Sequence, residues 1–187
     1  MAKKLIILTG YCATGKTTFS LKISKEFNIP CFNKDSIKAV LGRNLEINSR
    51  DDSSRLSITA FNMILHILEI FMNLNKTLII ESNFKKQEGE IIDQLLKKHN
   101  YQSLTFLLVG DLKIIHKRFI ERDYSPERDK ANRSNGLFDE YGKFEKAIKP
   151  LGDFTIGDKI IKIDTSNFSK INFIDYMKEV EIFIDDK

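Results

Sequence analysis

Cysteine and histidine are scarce in this chain. Among 187 residues the only cysteines are Cys12 and Cys31, and neither lies in a C-x-x-C or zinc-like spacing. A disulfide framework and a structural metal are therefore not expected, and a reducing, cytoplasmic setting is. The three histidines, His66, His99 and His116, form no H-x-x-H or Ser-His-Asp pattern, which sets aside metal hydrolysis and acyl transfer. Long apolar runs are missing too. The first, beginning at Lys4, is broken by Gly10 within a few residues, too soon for a signal segment or a membrane span, so no membrane partner is expected. Lysine is plentiful but never massed into a run of about five or more. A net charge of +4 then suits a small anionic ligand better than a nucleic-acid track. There is no internal repeat, no low-complexity tract and no N-K-x-D guanine signature.

What is present reads as an ordinary globular chain. Apolar residues make up 42 % and charged residues 30 % of it, and the length suits one domain spanning residues 1–187, as a monomer or a homodimer. Short apolar runs predict strands at Lys4 to Thr9, Ile29 to Asn33, Thr77 to Ile80, Ser103 to Val109 and Lys159 to Asp164. Helical spacing predicts helices from Thr17 to Phe27, from Ile37 to a stop at Gly42, from Leu56 to Asn73, from Glu88 to His99, from an Asp111 cap to about Arg122, and through Tyr176 and Phe183. Parallel strands need crossover connections, and those are helices. The expected class is therefore α/β, a doubly wound, five-stranded parallel sheet flanked by helices. Two polar stretches fall outside these elements: Asn44 to Arg55, expected as a mobile surface loop, and residues 123–136 (DYSPERDKANRSNG), expected as a lid.

One motif carries chemistry by itself. Gly10-Tyr11-Cys12-Ala13-Thr14-Gly15-Lys16-Thr17 fits G-x-x-x-x-G-K-[ST], the Walker A pattern, and stands between a predicted strand and a predicted helix. Glycines allow backbone N–H groups to turn toward phosphates, and the helix N-terminus adds positive potential. Lys16 would bridge the β- and γ-phosphates and Thr17 would hold Mg²⁺, so ATP with Mg²⁺ is the expected cofactor, contacted by Gly10, Ala13, Thr14, Gly15, Lys16, Thr17 and Thr18. Cys12 lies in this loop, where the backbone matters and a catalytic thiol is not expected.

With this loop in place, the chain resembles the small P-loop kinases, the group that includes shikimate and gluconate kinases, chloramphenicol phosphotransferase, zeta toxins and the kinase domain of polynucleotide kinase. The likeness covers most of the chain, though only the phosphate loop is specific. It implies a P-loop NTPase fold and four further features. Asp35, just past strand two, matches the acid that accepts the proton of the substrate hydroxyl; its position also suits a helix cap. Glu81 ends strand three at the carboxyl edge, where ligands bind in open α/β sheets. It resembles a Walker B acid that holds metal or orients substrate, and it also reads as a solvated strand end. Arg118 and Arg122 stand four apart on a helix and correspond to an arginine pair against the adenine and the phosphates; salt bridges to Glu121 and Asp123 are the rival reading. Arg128 and Arg133 in the lid are placed to reach the γ-phosphate or to be solvated, and the segment Ile163 to Asn167, with Ser166, matches an adenine-side loop.

The resulting expectation is a kinase that moves the γ-phosphate of ATP to a hydroxyl of a small molecule. Lys16, Asp35, Arg122 and Arg128 would be catalytic, Asp35, Glu81 and Arg43 would bind substrate, and Thr17 and Glu81 would hold metal. Arg43, Arg50 and Arg55 leave room for a phosphate acceptor. The alternatives are a polynucleotide 5′-hydroxyl kinase, disfavoured by the modest charge, and a non-kinase ATP-binding or ATPase module.

Overall fold

A computed structural model describes residues 3–186. Strand β1 (Lys4–Gly10) is buried along its whole length. Leu5 and Ile7 face one apolar layer, and Ile6 and Leu8 face the other. A strand buried on both faces belongs in the middle of a parallel sheet. The order is β2-β3-β1-β4-β5, with β2 at Cys31–Asn33, β3 at Leu78–Glu81, β4 at Gln102–Val109 and β5 at Lys159–Asp164. Every pairing is parallel. The predicted five-stranded parallel sheet is thus observed.

Register decides where the chemistry lies. Leu8 pairs with Glu81, and Glu81 with Asn33, so β3 and β2 end level at one carboxyl edge, two residues short of the end of β1 at Gly10. Helices α1 (Lys16–Phe27) and α7 (Phe173–Asp185) contribute to the layer built on Phe19, Ile23, Phe106 and Val180. The opposite layer takes α3 (Arg50–Asn73), α4 (Lys86–His99), α5 (Leu112–Asp123) and α6 (Tyr141–Ile148). Helix α3 is long and apolar enough to cross a membrane, yet Leu56, Ala60, Phe61, Ile64, Leu68 and Met72 are buried in this core.

Several local expectations are corrected. Helix α2 (Lys34–Asn44) does not stop at Gly42 but runs through it. A Cβ on Gly42 would stand 2.5 Å from that of Ala131, so this glycine serves a close approach by the polar segment and not a terminus. The polar loop before α3 is also shorter than expected. Ser49 caps α3 by accepting from Asp52 N, which starts the helix at Arg50, upstream of Leu56. The segment after Asp123 carries a short 3₁₀ turn at Lys130–Asn132, and Asp123 itself closes α5. Helix α6 has no counterpart in the sequence reading, although Tyr141, Phe144 and Ile148 repeat at helical spacing and Phe144 is fully buried.

Gly10 shows how tightly the phosphate loop leaves the sheet. Its φ is +111°, and a Cβ there would lie 2.2 Å from the Leu108 carbonyl oxygen. Gly10→Ala is expected to cost about 2–4 kcal/mol through backbone strain and overpacking. Urea unfolding would register this as a lower midpoint at unchanged slope.

Candidate functional site

The loop from Gly10 to Gly15 turns by means of left-handed residues, Ala13 at φ 53° and Gly15 at φ 80°. Tyr11 N donates to the Leu108 carbonyl at 2.9 Å, and Thr14 Oγ1 donates to the Tyr11 carbonyl at 2.8 Å. Gly15 then starts α1 with no side-chain cap, leaving first-turn N–H groups free for an anion. Lys16 is buried and its Nζ folds back onto the Tyr11 carbonyl. Burial lowers its pKa, opposed by the charge of Glu81.

The level strand ends bring the acids to this loop. Thr17 Oγ1 donates to Glu81 Oε2 at 2.9 Å, and Asn33 Nδ2 reaches Thr17 Oγ1 at 3.4 Å. Glu81 is 4 % exposed, which rules out a solvated strand end. Burial raises its pKa, against the pull of Lys16 and of the Thr17 hydroxyl. Asp35 does not cap α2. The cap is Asn33, whose side chain accepts from Ser36 N at 2.7 Å, so the Asp35 carboxylate is free of that duty and meets Arg128 Nη2 at 3.4 Å.

The arginines hold distinct positions. Arg118 donates to the carbonyls of Thr165 and Ser166 at 2.6 and 2.8 Å and lies 4.2 Å from the Phe168 ring centroid. Arg122 is largely buried, with Nε lacking a partner, and burial together with Arg128 lowers its pKa. Its expected rival partner, Asp123, is engaged instead by the backbone and hydroxyl of Ser134. Arg128 also donates to the Asn132 carbonyl at 2.8 Å while its Nε stays unpaired.

Ala13, Thr14, Gly15, Lys16, Thr17, Thr18, Asp35, Glu81, Arg118, Arg122 and Arg128 thus line a single cleft of about 700 Å³. Gly10, Arg43 and Ser166 stand outside it, as do Arg50, Arg55 and Arg133. Gly10 lies beneath the loop, and Arg43 pairs with Asp129 at 2.9 Å beside a smaller groove. The Ser166 hydroxyl is taken up by Asp111 N and Asp164, leaving only its carbonyl to hold Arg118. Sequence reasoning missed Asn33, Lys22, Asn83, Phe173 and above all Phe168, whose ring would lie 3.3 Å from a Cβ on Gly15. An aromatic just beyond the Ser166-Asn167 segment was the available signal.

Burial also governs thiol chemistry here. Burial pushes the Cys12 thiol up to about 11, so at pH 8 about one molecule in 10³ carries the thiolate. Both cysteines are free. A maleimide at pH 8 is expected to label the less buried Cys31 first and Cys12 only on unfolding. Equal native rates, read by mass spectrometry, would contradict this.

No protein-family model matches the sequence, and no curated protein matches it. Solved structures do. A Chloroflexus aurantiacus protein described as a candidate kinase superposes with a TM-score of 0.85 at 23 % identity, covering 97 % of this chain and 98 % of that one. The fold is that of the small P-loop kinases. Shikimate kinase from Bacteroides thetaiotaomicron superposes at a TM-score of 0.58 and 13 % identity over 97 % and 98 % of the two chains. The tunicamycin resistance protein of Deinococcus radiodurans reaches 0.60 and 13 % over 97 % and 95 %. At these identities the P-loop kinase fold is shared and the reaction has to be argued from the site.

Proposed function

We propose that this P-loop kinase fold carries an ATP-dependent phosphotransferase that moves the γ-phosphate to a hydroxyl of a small molecule. The observation that carries the reading is the shared cleft: a phosphate loop with Lys16 and Thr17, the Asp35 carboxylate, and Arg122 and Arg128 all face one space. The likeness to a shikimate kinase supports the same class of reaction.

The residues fit a magnesium ion. Thr17 Oγ1 and Glu81 Oε2 are hard oxygen donors within one hydrogen bond of each other, and among the described residues no group of three His, Cys, Asp or Glu side chains forms a metal cage. Mg²⁺ is commonly held by one or two protein oxygens together with substrate phosphates. When bound, it neutralises charge on the β- and γ-phosphate oxygens. The protein would do the rest. Free N–H groups at the start of α1 hold phosphate oxygens, Lys16 turns from the Tyr11 carbonyl to bridge them, and Arg118 with Phe168 borders the base. The acceptor oxygen forms its bond to the γ-phosphorus as the bond to the bridging oxygen breaks. The hydroxyl proton passes to Asp35, ADP leaves, and Arg122 and Arg128 stabilise the spreading charge.

The test is ADP release against a panel of sugars, nucleosides, antibiotics and 5′-hydroxyl oligonucleotides, with phosphorylated product identified by mass spectrometry. Acceptor-dependent ADP release with a small molecule is the expected result. ADP release indifferent to every acceptor would favour an ATPase.

A further inference from the structure

The polar segment expected as a lid is braced along its length. At its foot the buried Asp123 carboxylate accepts from Ser134 N at 3.0 Å and from Ser134 Oγ at 2.7 Å, which closes residues 123–134 into a loop. Across its middle Arg133 donates to the Arg128 and Ser125 carbonyls at 3.2 and 3.0 Å, and Arg128 Nη2 donates to the Asn132 carbonyl at 2.8 Å. A loop with its ends tied and its interior filled by its own side chains keeps a shape of its own.

That shape is docked on α2. Asn132 Nδ2 donates to the Asp35 carbonyl at 2.8 Å, Arg43 pairs with Asp129 at 2.9 Å, and Ala131, only 3 % exposed, lies against Gly42. The last contact sets how near the loop comes. A Cβ on Gly42 would stand 2.5 Å from that of Ala131, inside any normal contact, so the approach exists because residue 42 has no side chain. Glycine within a helix weakens it, and α2 carries one where the loop lands.

The same docking delivers Arg128. Its Nη2 lies 3.4 Å from Asp35 Oδ2, and its Nε is buried without a partner, so the guanidinium meets the proposed base with donor capacity to spare. The Arg43–Asp129 pair has one well-exposed member and contributes little by itself. The close packing at Gly42 is the contact that cannot be adjusted without moving the loop. All of these contacts join groups of the chain itself, so they require no nucleotide to form.

We propose that Gly42 and Ala131 are positioning residues: their contact docks residues 123–134 on α2 without help from a nucleotide and so holds Arg128 at Asp35, preorganised for the charge that develops in phosphoryl transfer. The catalytic half of this inference rests on the phosphotransferase reading. The docking half does not.

The experiment moves one methyl group. Gly42→Ala drives the loop away while favouring the helix that carries it. Gly42→Ala/Ala131→Gly returns the space, leaving the residue 131 Cα at 3.7 Å and only the tip of Ile47, at 2.9 Å, to shift. The full chain is treated briefly with trypsin, which cuts after Arg128, Lys130 and Arg133, with and without Mg·ATP, and ADP release from Mg·ATP is followed across the acceptor panel. Cutting of the native loop, which tracks its opening, is expected to be slow already and to be slowed no more than about threefold by Mg·ATP. Overpacking in Gly42→Ala is expected to speed cutting by roughly tenfold or more. Its kcat should fall by a similar factor with KM for ATP within about threefold, and the double variant should restore both readings. Where Gly42→Ala does not fold, Asp129→Asn serves: it keeps an acceptor for Ala131 N, loosens Arg43, and should raise cutting by about two- to fivefold with kcat falling alongside. Protection of the native loop by Mg·ATP of about tenfold or more would show that nucleotide does the docking and overturn the proposal. So would a Gly42→Ala chain that is cut and turns over as the native one does, faster cutting with kcat unchanged, or a double variant no better than the single one. If the native chain releases no ADP with any acceptor, the phosphotransferase reading fails, and the trypsin measurements still decide the docking.

Discussion

Asp35→Asn is expected to lower kcat for the acceptor by about 10²- to 10⁴-fold, the usual contribution of a general base, with Mg·ATP affinity near that of the native chain. The structure sharpens this expectation. Asn33, not Asp35, caps α2, so the substitution leaves the helix start intact and removes only a 3.4 Å ion pair to Arg128 and a first-turn negative charge. Such groups contribute at most about 1 kcal/mol, and the melting temperature should barely move. Asparagine keeps the size and hydrogen-bonding reach of the side chain and loses the ability to take a proton. Calorimetric titration with Mg·ATP and single-turnover kinetics separate the outcomes. If affinity falls tenfold at constant stability, Asp35 holds the metal and Glu81 becomes the base. If neither affinity nor rate changes, Asp35 has no part in the chemistry.

Lys16→Ala is expected to reduce turnover by about 10²- to 10³-fold, the effect of deleting one preorganised group that meets developing charge, and to weaken nucleotide binding as well. Folding should survive. The Tyr11 carbonyl that Lys16 Nζ reaches also accepts from Thr14 Oγ1, so it is not orphaned, and removing a buried ammonium relieves a desolvation that already lowers its pKa. Glu81 loses the neighbour that opposes the rise of its own pKa, so in the variant that pKa should rise further. Thermal melting with and without Mg·ATP gives the check: the native chain gains stability from the nucleotide by mass action, and the variant should gain little. An unchanged rate and an unchanged shift would remove the phosphate loop from the mechanism.

Much of the architecture was legible because it follows from local rules. A buried strand must be apolar on both faces, as β1 and β4 are, and a strand, glycine loop and helix in succession can be read from one stretch of chain. The sequence alone therefore determined the parallel sheet, the phosphate loop and the placing of Asp35 and Glu81 just at or past strand ends. Capping was less legible, since Asn33, Asp35 and Ser36 are all good caps and only backbone geometry selects Asn33. Helix α6 hid within a polar neighbourhood, and its one fully buried residue, Phe144, is recognisable only against Phe119 and Phe138.

Tertiary structure decided the rest, because it depends on residues far apart in the chain. The order β2-β3-β1-β4-β5 levels Asn33 with Glu81 and so sets Glu81 against Thr17 at hydrogen-bonding distance. Gly42 reads as a helix stop until Ala131 is seen against it. Arg128 and Arg133 look equivalent in the polar segment, yet Arg133 is held by the carbonyls of Arg128 and Ser125 outside the phosphate-loop cleft while Arg128 lies at Asp35 within it. Spacing along a chain fixes which face of a helix a side chain shares, whereas the partner on that face is chosen by packing between elements that the sequence keeps apart.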